Sequence, residues 1–269
     1  MQPMETRAGY FILFIGDIVG EAGRAAVRAL LPDLINSLRI DFVIANCENA
    51  AAGRGITPKI TEDLFGFGVD VLTSGNHIWD RQEIVPYIKN ESRLLRPANY
   101  PRSTPGSGHG IFGDGKGIQI GVFNLCGKLF MDSFECPFNY ALNLIEELSM
   151  HTNLIILDFH AEASSEKIAM GWYLDGKVSA VLGTHTHVQT ADERILPNGT
   201  AYITDVGMTG SMDSVIGMDK EKSIKRFLTL MPQRLEPADK NISLNGVIVE
   251  LDTLTGKGIS IRRVTIPYN

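Results

Sequence analysis

The sequence predicts an α/β fold, and two features of its hydrophobic pattern support that prediction. Through the first two-thirds of the 269-residue chain, short apolar runs alternate with segments whose apolar residues recur at helical spacing. Strands that alternate with helices form a largely parallel sheet covered by helices. The last third has mostly strand-like patterns, so we expect it to add strands that pair antiparallel.

The predicted elements follow one another along the chain with few interruptions. The expected strands are 11–15, 42–45, 69–73, 118–125, 154–159, 178–182, 194–196, 201–204, 246–251 and 258–264. The expected helices are 21–38, 57–67, 79–88, 140–149, 166–172 and 220–230. Thr57 is a plausible N-cap with Pro58 at the first helical position. Residues 96–117 are rich in Pro, Gly and Ser, which favours a long loop or a lid.

Composition indicates a soluble globular protein with one large core. The chain is 44% hydrophobic and 21% charged, and no apolar run approaches the ~20 residues that span a bilayer. We expect an N-terminal tail over residues 1–9, without a signal-peptide pattern, and a single domain over residues 10–269. The formal net charge of −6 argues against a stable nucleic-acid complex.

Cysteine usage suggests a reducing compartment. Cys47, Cys126 and Cys136 are odd in number and form no CxxC pair, so a disulfide framework is not expected. A cytoplasmic location is the simplest expectation. Cys47 lies in an apolar run and is predicted to be a small core residue.

Side chains that can bind metal follow five of the predicted strands. They are Asp17 after the first strand, Glu48 and Asn49 after the second, Asn76 and His77 after the third, His160 after a later one, and His185 and His187 after the next. Ligands of α/β sheets bind at the carboxyl ends of the strands. So many polar groups would be costly to bury at one edge without a shared partner, and a pair of metal ions is such a partner.

Each of these residues has a simpler explanation when it is considered alone. Asp17 could cap a helix, Asn76 could stabilise a turn, and His160 could be a hydrogen-bonded core histidine. His185 and His187 could belong to a polar turn, but in an extended segment residues two apart face the same way and could reach one site. The convergence of carboxylates, amides and imidazoles without thiolates favours Fe, Mn or Zn in a hydrolytic site.

Several long motifs resemble those of the YmdB family of calcineurin-like metallophosphoesterases. They are FIGDIVG, ANCENAAAGRGIT, TSGNHIWD, RPANYP, DFHAEASSEK, GWYLDGKVSAVLGTHTHVQTADERILPNGTAYITDVGMTG and IGMD. The resemblance implies a sandwich of two mixed β-sheets flanked by helices, in α-β-β-α layers. It also implies a metal-dependent phosphodiesterase with two divalent or mixed-valence ions, Fe first and Mn or Zn otherwise. The implied substrates are small phosphodiesters, 2′,3′-cyclic and also 3′,5′-cyclic nucleotides, and the implied assembly is a homo-oligomer.

The resemblance also implies a role for each site residue. One ion would be held by Asp17, Glu48, Asn49 and His187, and the other by Glu48, Asn76, His160 and His185. Glu48 would bridge the ions, a hydroxide between them would attack phosphorus, and His77 would protonate the leaving group. The wider superfamily has Asp-x-His at its first strand and a bridging Asp at its second. In this chain Val19 stands where that histidine would be, and Glu48 stands where the bridging Asp would be. The YmdB family shows the same two differences from the superfamily.

Three other functions are compatible with parts of the pattern. A dinucleotide-binding oxidoreductase would use Gly16, Gly20 and Gly23, but their spacing is one residue too long and Asp17 would lie in the pyrophosphate pocket. A phosphomonoesterase would share the same metal centre, and a nucleotide-sensing regulatory module would keep it with little turnover. Residues 96–117 and 207–210 would either shape the substrate pocket or form surface and subunit connections.

Overall fold

Two β-sheets and flanking helices make up the computed structural model, which describes residues 9–132 and 134–268. The predicted tail lies, apart from Gly9, outside these residues. The strands are β1 (Tyr10–Ile15), β2 (Asp17–Ile18), β3 (Phe42–Asn46), β4 (Val71–Thr73), β5 (His109–Gly113), β6 (Gln119–Cys126), β7 (Leu154–His160), β8 (Ala180–Thr184), β9 (Arg194–Ile195), β10 (Ala201–Ile203), β11 (Met208–Ser211), β12 (Ile242–Leu251) and β13 (Gly258–Tyr268). The helices are α1 (Gly20–Leu38), α2 (Pro58–Gly66), α3 (Ile84–Tyr87), α4 (Pro137–Ser149), α5 (Ser164–Leu174) and α6 (Lys220–Thr229).

Both sheets are mixed, as the family resemblance implied. The first sheet runs β2-β11-β12-β1-β3-β4, with β13 on the other side of β12. Its strands β1, β3 and β4 are parallel, while β12 is antiparallel to β1 and β13. The second sheet runs β5-β6-β7-β8-β10-β9, with β6, β7, β8 and β10 parallel and antiparallel strands at both edges. The expectation of one largely parallel sheet, drawn from the alternation of strands and helices, is therefore wrong.

The alternation of side chains along the strands divides the core into layers. In β1, Ile12 and Phe14 belong to the apolar layer between the sheets, whereas Leu13 and Ile15 belong to the layer that includes α1 and α2. In β7, Leu154 and Ile156 join the layer between the sheets, whereas Ile155 and Leu157 pack with α4 and α5. Each fully buried side chain of this size contributes about 1.5–3 kcal/mol. Because one apolar layer joins the two sheets and the other two join each sheet to its helices, the elements follow the α-β-β-α order.

Local sequence features explain how several elements begin and where they lie. Thr57 caps α2 by accepting a hydrogen bond from the backbone N–H of Ile60 at 3.4 Å, with Pro58 at the first position, as predicted. Cys47 is fully buried, in agreement with its assignment to the core. In the described part of the chain, no helix is long and apolar enough to cross a membrane.

Two predicted elements differ from the structure. The helix expected over residues 79–88 is limited to α3, because the Arg81 side chain donates to the carbonyls of Ala51 and Arg54 at 2.8 and 3.2 Å and holds the preceding turn against that loop. The loop expected over residues 96–117 contains β5, which pairs antiparallel with β6 despite its glycines. The short strands β2 and β11 were not predicted, because so few residues show no alternation.

Candidate dinuclear metal centre

The predicted site residues meet where the carboxyl ends of strands from both sheets face each other. In the first sheet, Asp17 begins β2 just after β1, Glu48 and Asn49 follow β3, and Asn76 and His77 follow β4. Strands β7 and β8 bring the three histidines from the second sheet: His160, His185 and His187. The predicted edge is thus built from two sheets rather than one.

Two clusters of ligand atoms share one carboxylate. Glu48, His160 and His185 form one cluster, and Asp17, Glu48 and His187 form the other, with the ligand atoms of each within 4.8 Å of one another. Glu48 is 1% exposed and Asp17 is fully buried. A carboxylate common to two ligand clusters is the arrangement that a pair of bridged ions needs.

Contacts with the surrounding loops orient Asn49 and His187. The Asn49 side-chain NH₂ donates to the Gly53 carbonyl at 3.1 Å, which turns its oxygen toward His187 Nε2 at 3.2 Å. His187 Nδ1 lies 2.8 Å from the carbonyl of Ile216, so Nδ1 carries the proton. Its Nε2 lone pair is therefore free for a metal, as in most metal-bound histidines.

A buried hydrogen-bonded chain fixes His160 in the same way. His160 Nδ1 lies 2.9 Å from the Thr184 hydroxyl, which donates its proton to Asp158 at 2.6 Å. The hydroxyl must therefore accept from His160 Nδ1–H, and Nε2 is left to face Glu48 at 3.2 Å and His185 Nδ1 at 3.0 Å. Sequence analysis did not identify Asp158 or Thr184.

Asp158 also acts on Glu48, from across the gap between the sheets. Its second oxygen accepts a hydrogen bond from the Asn46 side chain at 2.9 Å, and the Asn46 oxygen accepts from the Glu48 backbone N–H at 3.1 Å. One buried carboxylate therefore orients two ligand-bearing segments, one in each sheet.

Two buried oxygen atoms fit a cation better than they fit the protein alone. Asp17 Oδ1 and Asn76 Oδ1 are buried without a hydrogen-bond partner among residues 9–132 and 134–268. An unsatisfied buried polar group costs about 1–3 kcal/mol. Metal coordination would satisfy both oxygens, so the residues present fit a metal pair.

Gly75, directly before Asn76, lies against this cluster. A Cβ at this position would collide with the Glu48 carboxylate and the His160 ring. Only glycine therefore allows the loop after β4 to bring Asn76 next to both ligands.

Burial and close opposite charges shift the pKa values of the cluster. Burial raises the pKa of Asp17 above its ordinary value, despite the nearby histidines. Burial alone would raise the pKa of Glu48 and lower that of His160, but their mutual attraction outweighs it and reverses both directions. Burial and the charge of His160 lower the pKa of His185 to about 3. Such tightly packed groups are typical of functional sites.

His77 is oriented differently from the ligand candidates. Its backbone N–H donates to Glu48 at 3.2 Å, while its ring Nδ1 lies 3.0 Å from the Asp80 carboxylate. The side chain is 23% exposed and lines the cavity beside the cluster. An imidazole held by a carboxylate at the edge of the site can deliver a proton.

The His185-Thr186-His187 segment is not extended, contrary to expectation. His185 and His187 have φ values of 100° and 66°, in the left-handed region that residues other than glycine seldom adopt. Asp205 holds the turn by accepting from the backbone and hydroxyl of Thr186 at 3.1 and 2.7 Å. The buried Lys167 ammonium lies 2.6 Å from the same carboxylate. The two imidazoles consequently belong to different clusters rather than to one.

Asp205, Lys167 and Glu162 were missed by sequence analysis. Asp205 follows β10, so the strand-end rule used for the other residues could have identified it. Glu162 lies 3.1 Å from His185 Nε2 and lines the cavity, but its sequence context gives no indication of this.

The cavity next to the cluster has a volume of about 750 Å³. Its walls come from the 52–54 loop and from residues 215–235, which include α6. Of the two alternatives left open for residues 96–117 and 207–210, the pocket wall is not supported, since neither segment lines this cavity. Instead, Gly207 accepts a hydrogen bond from the Asp17 backbone at 3.0 Å and thereby positions that ligand candidate. The Arg96 guanidinium binds the carbonyls of Thr104 and Pro105 and closes its own loop.

An α-β-β-α sandwich with carboxylate, amide and imidazole groups at the shared strand ends defines the calcineurin-like metallophosphoesterases. Within that class, the model of the YmdB-like protein family matches residues 13–264. The chain belongs to this family.

Relatives of known name or structure cover nearly the whole chain. The 2′,3′-cyclic-nucleotide 2′-phosphodiesterase of Bacillus subtilis (strain 168) is 50% identical, over 95% of this chain and 96% of its own. A crystal structure of a hypothetical protein from Thermus thermophilus has a TM-score of 0.91 and 40% identity, over 96% of this chain and 100% of its own. A novel phosphatase from Mycoplasma pneumoniae has a TM-score of 0.89 and 37% identity, over 96% and 94%.

Proposed function

We propose that this protein is a metal-dependent phosphodiesterase that opens 2′,3′-cyclic nucleotides. The observation that carries the proposal is the sharing of Glu48 by two clusters of ligand atoms. The activity named for the Bacillus subtilis relative, at 50% identity, supports the substrate class. 3′,5′-Cyclic nucleotides are a second substrate to be compared with it.

The proposed ligand sets follow the two clusters, with one amide oxygen added to each. One set is Asp17, Glu48, Asn49 and His187, and the other is Glu48, Asn76, His160 and His185. The carboxylate, amide and imidazole donors suit Fe, Mn or Zn in a hydrolytic site, and the family resemblance puts Fe first among them. When bound, the ions supply Lewis acidity to the phosphoryl oxygens and activate water for attack.

His77 is proposed to protonate the leaving oxygen. Asp80 accepts from His77 Nδ1 at 3.0 Å, which orients the ring and leaves Nε2 directed away from Asp80. In the proposed reaction the oxygen of water joins phosphorus and one proton of the water passes to the solvent, the bond from phosphorus to the ribose 2′-oxygen breaks, and His77 gives its proton to that oxygen and recovers one from the solvent. The product is a nucleoside 3′-monophosphate.

Substitution of His77 by alanine tests this role. We expect His77→Ala to lower kcat by about 10²–10⁴-fold on a 2′,3′-cyclic nucleotide, because a ribose hydroxyl leaves poorly without a proton. The loss should be much smaller on bis(p-nitrophenyl) phosphate, whose leaving group needs no proton. Metal content per chain should stay at the wild-type value, and the exposed His151 gives a matched control, His151→Ala. Loss of metal in His77→Ala, or equal losses on both substrates, would refute the acid role.

A phosphomonoesterase on the same centre is the second candidate, and the Mycoplasma pneumoniae relative described as a phosphatase favours it. Turnover of the metal-loaded protein should be compared across 2′,3′-cyclic, 3′,5′-cyclic and linear diesters and across monoesters. Faster turnover of monoesters than of diesters would show that the protein is a phosphomonoesterase. A folded, metal-loaded protein without turnover would indicate a nucleotide-sensing module.

A further inference from the structure

The cavity extends from the metal cluster to an aromatic side chain on α6. Phe227 is 74% exposed and lines the same cavity as Glu48, His77 and His185. A phenyl ring in water gives up most of the burial that usually stabilises an aromatic residue. We propose that Phe227 is a stacking platform for the nucleobase of the substrate, an inference that rests on the proposed phosphodiesterase function.

The size and lining of the cavity suit a nucleoside attached to the reacting phosphate. A volume of about 750 Å³ lies within the range of small-molecule sites and exceeds the needs of a bare diester. Ile216, Met218 and Leu235 add apolar surface to the wall that carries Phe227. Ring stacking needs such an apolar surface and accepts every base, because each base has a π-face.

Two arginines in the cavity are available for an anionic ligand. Arg54 and Arg226 line the cavity, and their guanidinium groups have no hydrogen-bond or ion-pair partner in the part of the chain that the structure describes. Arg81, in contrast, donates to the carbonyls of Ala51 and Arg54. Arg226 and Phe227 both line the cavity, so α6 offers a cation and an aromatic ring to the same ligand. This pairing suits a nucleotide better than an uncharged apolar ligand.

The same helix provides a matched control. Leu228 is 80% exposed and follows Phe227, but it does not line the cavity. Other exposed apolar side chains near α6 include Leu230 and Met231, so contact with a second copy of the chain is the competing explanation for Phe227. The test must therefore separate nucleotide binding from assembly.

The experiment compares metal-loaded wild type, Phe227→Ala, Phe227→Trp and Leu228→Ala. Calorimetry measures the affinity for adenosine 3′-monophosphate and for inorganic phosphate. We expect Phe227→Ala to weaken nucleotide binding by about 10-fold or more, and phosphate binding not at all. Phe227→Trp should restore nucleotide affinity, and Leu228→Ala should match wild type in both. KM for 2′,3′-cyclic AMP should rise in Phe227→Ala with kcat unchanged, whereas kcat/KM for ethylene phosphate, which has no base, should not change.

The outcomes separate this inference from the function on which it rests. If the wild-type protein binds the nucleotide through Phe227 but hydrolyses no diester, the stacking role of Phe227 is supported and the proposed phosphodiesterase function is refuted. If the protein hydrolyses diesters but Phe227→Ala and Leu228→Ala bind the nucleotide with identical affinity, the phosphodiesterase function is supported and the stacking role of Phe227 is refuted. An altered native mass of Phe227→Ala with unchanged nucleotide affinity would also overturn it, since the ring would then be a subunit contact.

Discussion

Removal of the Thr184 hydroxyl should weaken metal binding without touching a proposed metal ligand. This hydroxyl lies between His160 Nδ1 at 2.9 Å and Asp158 at 2.6 Å, and all three side chains are fully buried. Thr184→Val keeps the shape of the side chain but removes both hydrogen bonds. The His160 ring is then free to rotate or to take the other tautomer, in which Nε2 carries the proton and cannot bind a metal.

Two free-energy changes follow from this loss. Two buried groups, His160 Nδ1–H and one Asp158 oxygen, lose their partner at about 1–3 kcal/mol each, so we expect the metal-free variant to lose about 2–6 kcal/mol of unfolding free energy. Loss of a group that orients a metal-bound histidine weakens metal affinity by about 10–100-fold. That change corresponds to about 1.4–2.7 kcal/mol, and it should fall on the ion held by His160 and His185.

Two measurements check these values. Urea denaturation in the presence of a chelator gives the change in unfolding free energy, and titration against chelators of graded affinity gives the dissociation constant of each ion. Thr184→Ser keeps the hydroxyl and should retain affinity near that of wild type. Thr61→Val removes another fully buried hydroxyl, which donates to the backbone carbonyl of Thr57, the N-cap of α2, at 3.0 Å, and it should leave metal binding unchanged. Wild-type metal affinity in Thr184→Val, or equal losses in Thr184→Ser, would refute the orienting role.

Two further predictions concern the loop after β4. Asn76→Ala removes a buried oxygen that has no partner within the described ranges, so we expect elemental analysis to find only one ion per chain at limiting metal; two tightly held ions would exclude Asn76 as a ligand. Gly75→Ala places a Cβ against Glu48 and His160, and it should abolish binding of both ions in the same analysis, because Glu48 belongs to both clusters; a correctly folded variant with two bound ions would contradict the proposed sharing.

Much of the fold could be predicted from sequence because its core strands are short and continuously apolar. The runs that became β1, β3, β7 and β8 were predicted to within two residues at each end. Alternation of strands with helices could not show that the chain builds two sheets, since each half of the sandwich produces the same local pattern. The resemblance to a family supplied that information, and β5 was missed because its pairing with β6 outweighs the glycines in its sequence.

The candidate site was predictable to the extent that it follows from strand ends. Asp17, Glu48 and His160 were identified because polar residues directly follow or end buried strands. The separation of His185 and His187 into two clusters was implied by the family resemblance but could not be derived from strand periodicity, because it depends on positive φ values that Asp205 maintains from another strand end. The wall formed by residues 215–235 was also missed, since nothing in its local sequence shows that it folds over the cluster.

The position of Asp158 is also predictable from the period of β7. Side chains two apart in a strand lie on the same face, so Leu154 and Ile156 in the layer between the sheets place Asp158 and His160 on that face as well. A carboxylate at such a position cannot be solvated and must find donors inside the protein. Its donors, Thr184 and Asn46, belong to the two segments that carry proposed ligands. The period of the strand therefore accounts for both His160 as a candidate ligand and Asp158 as the residue that orients it.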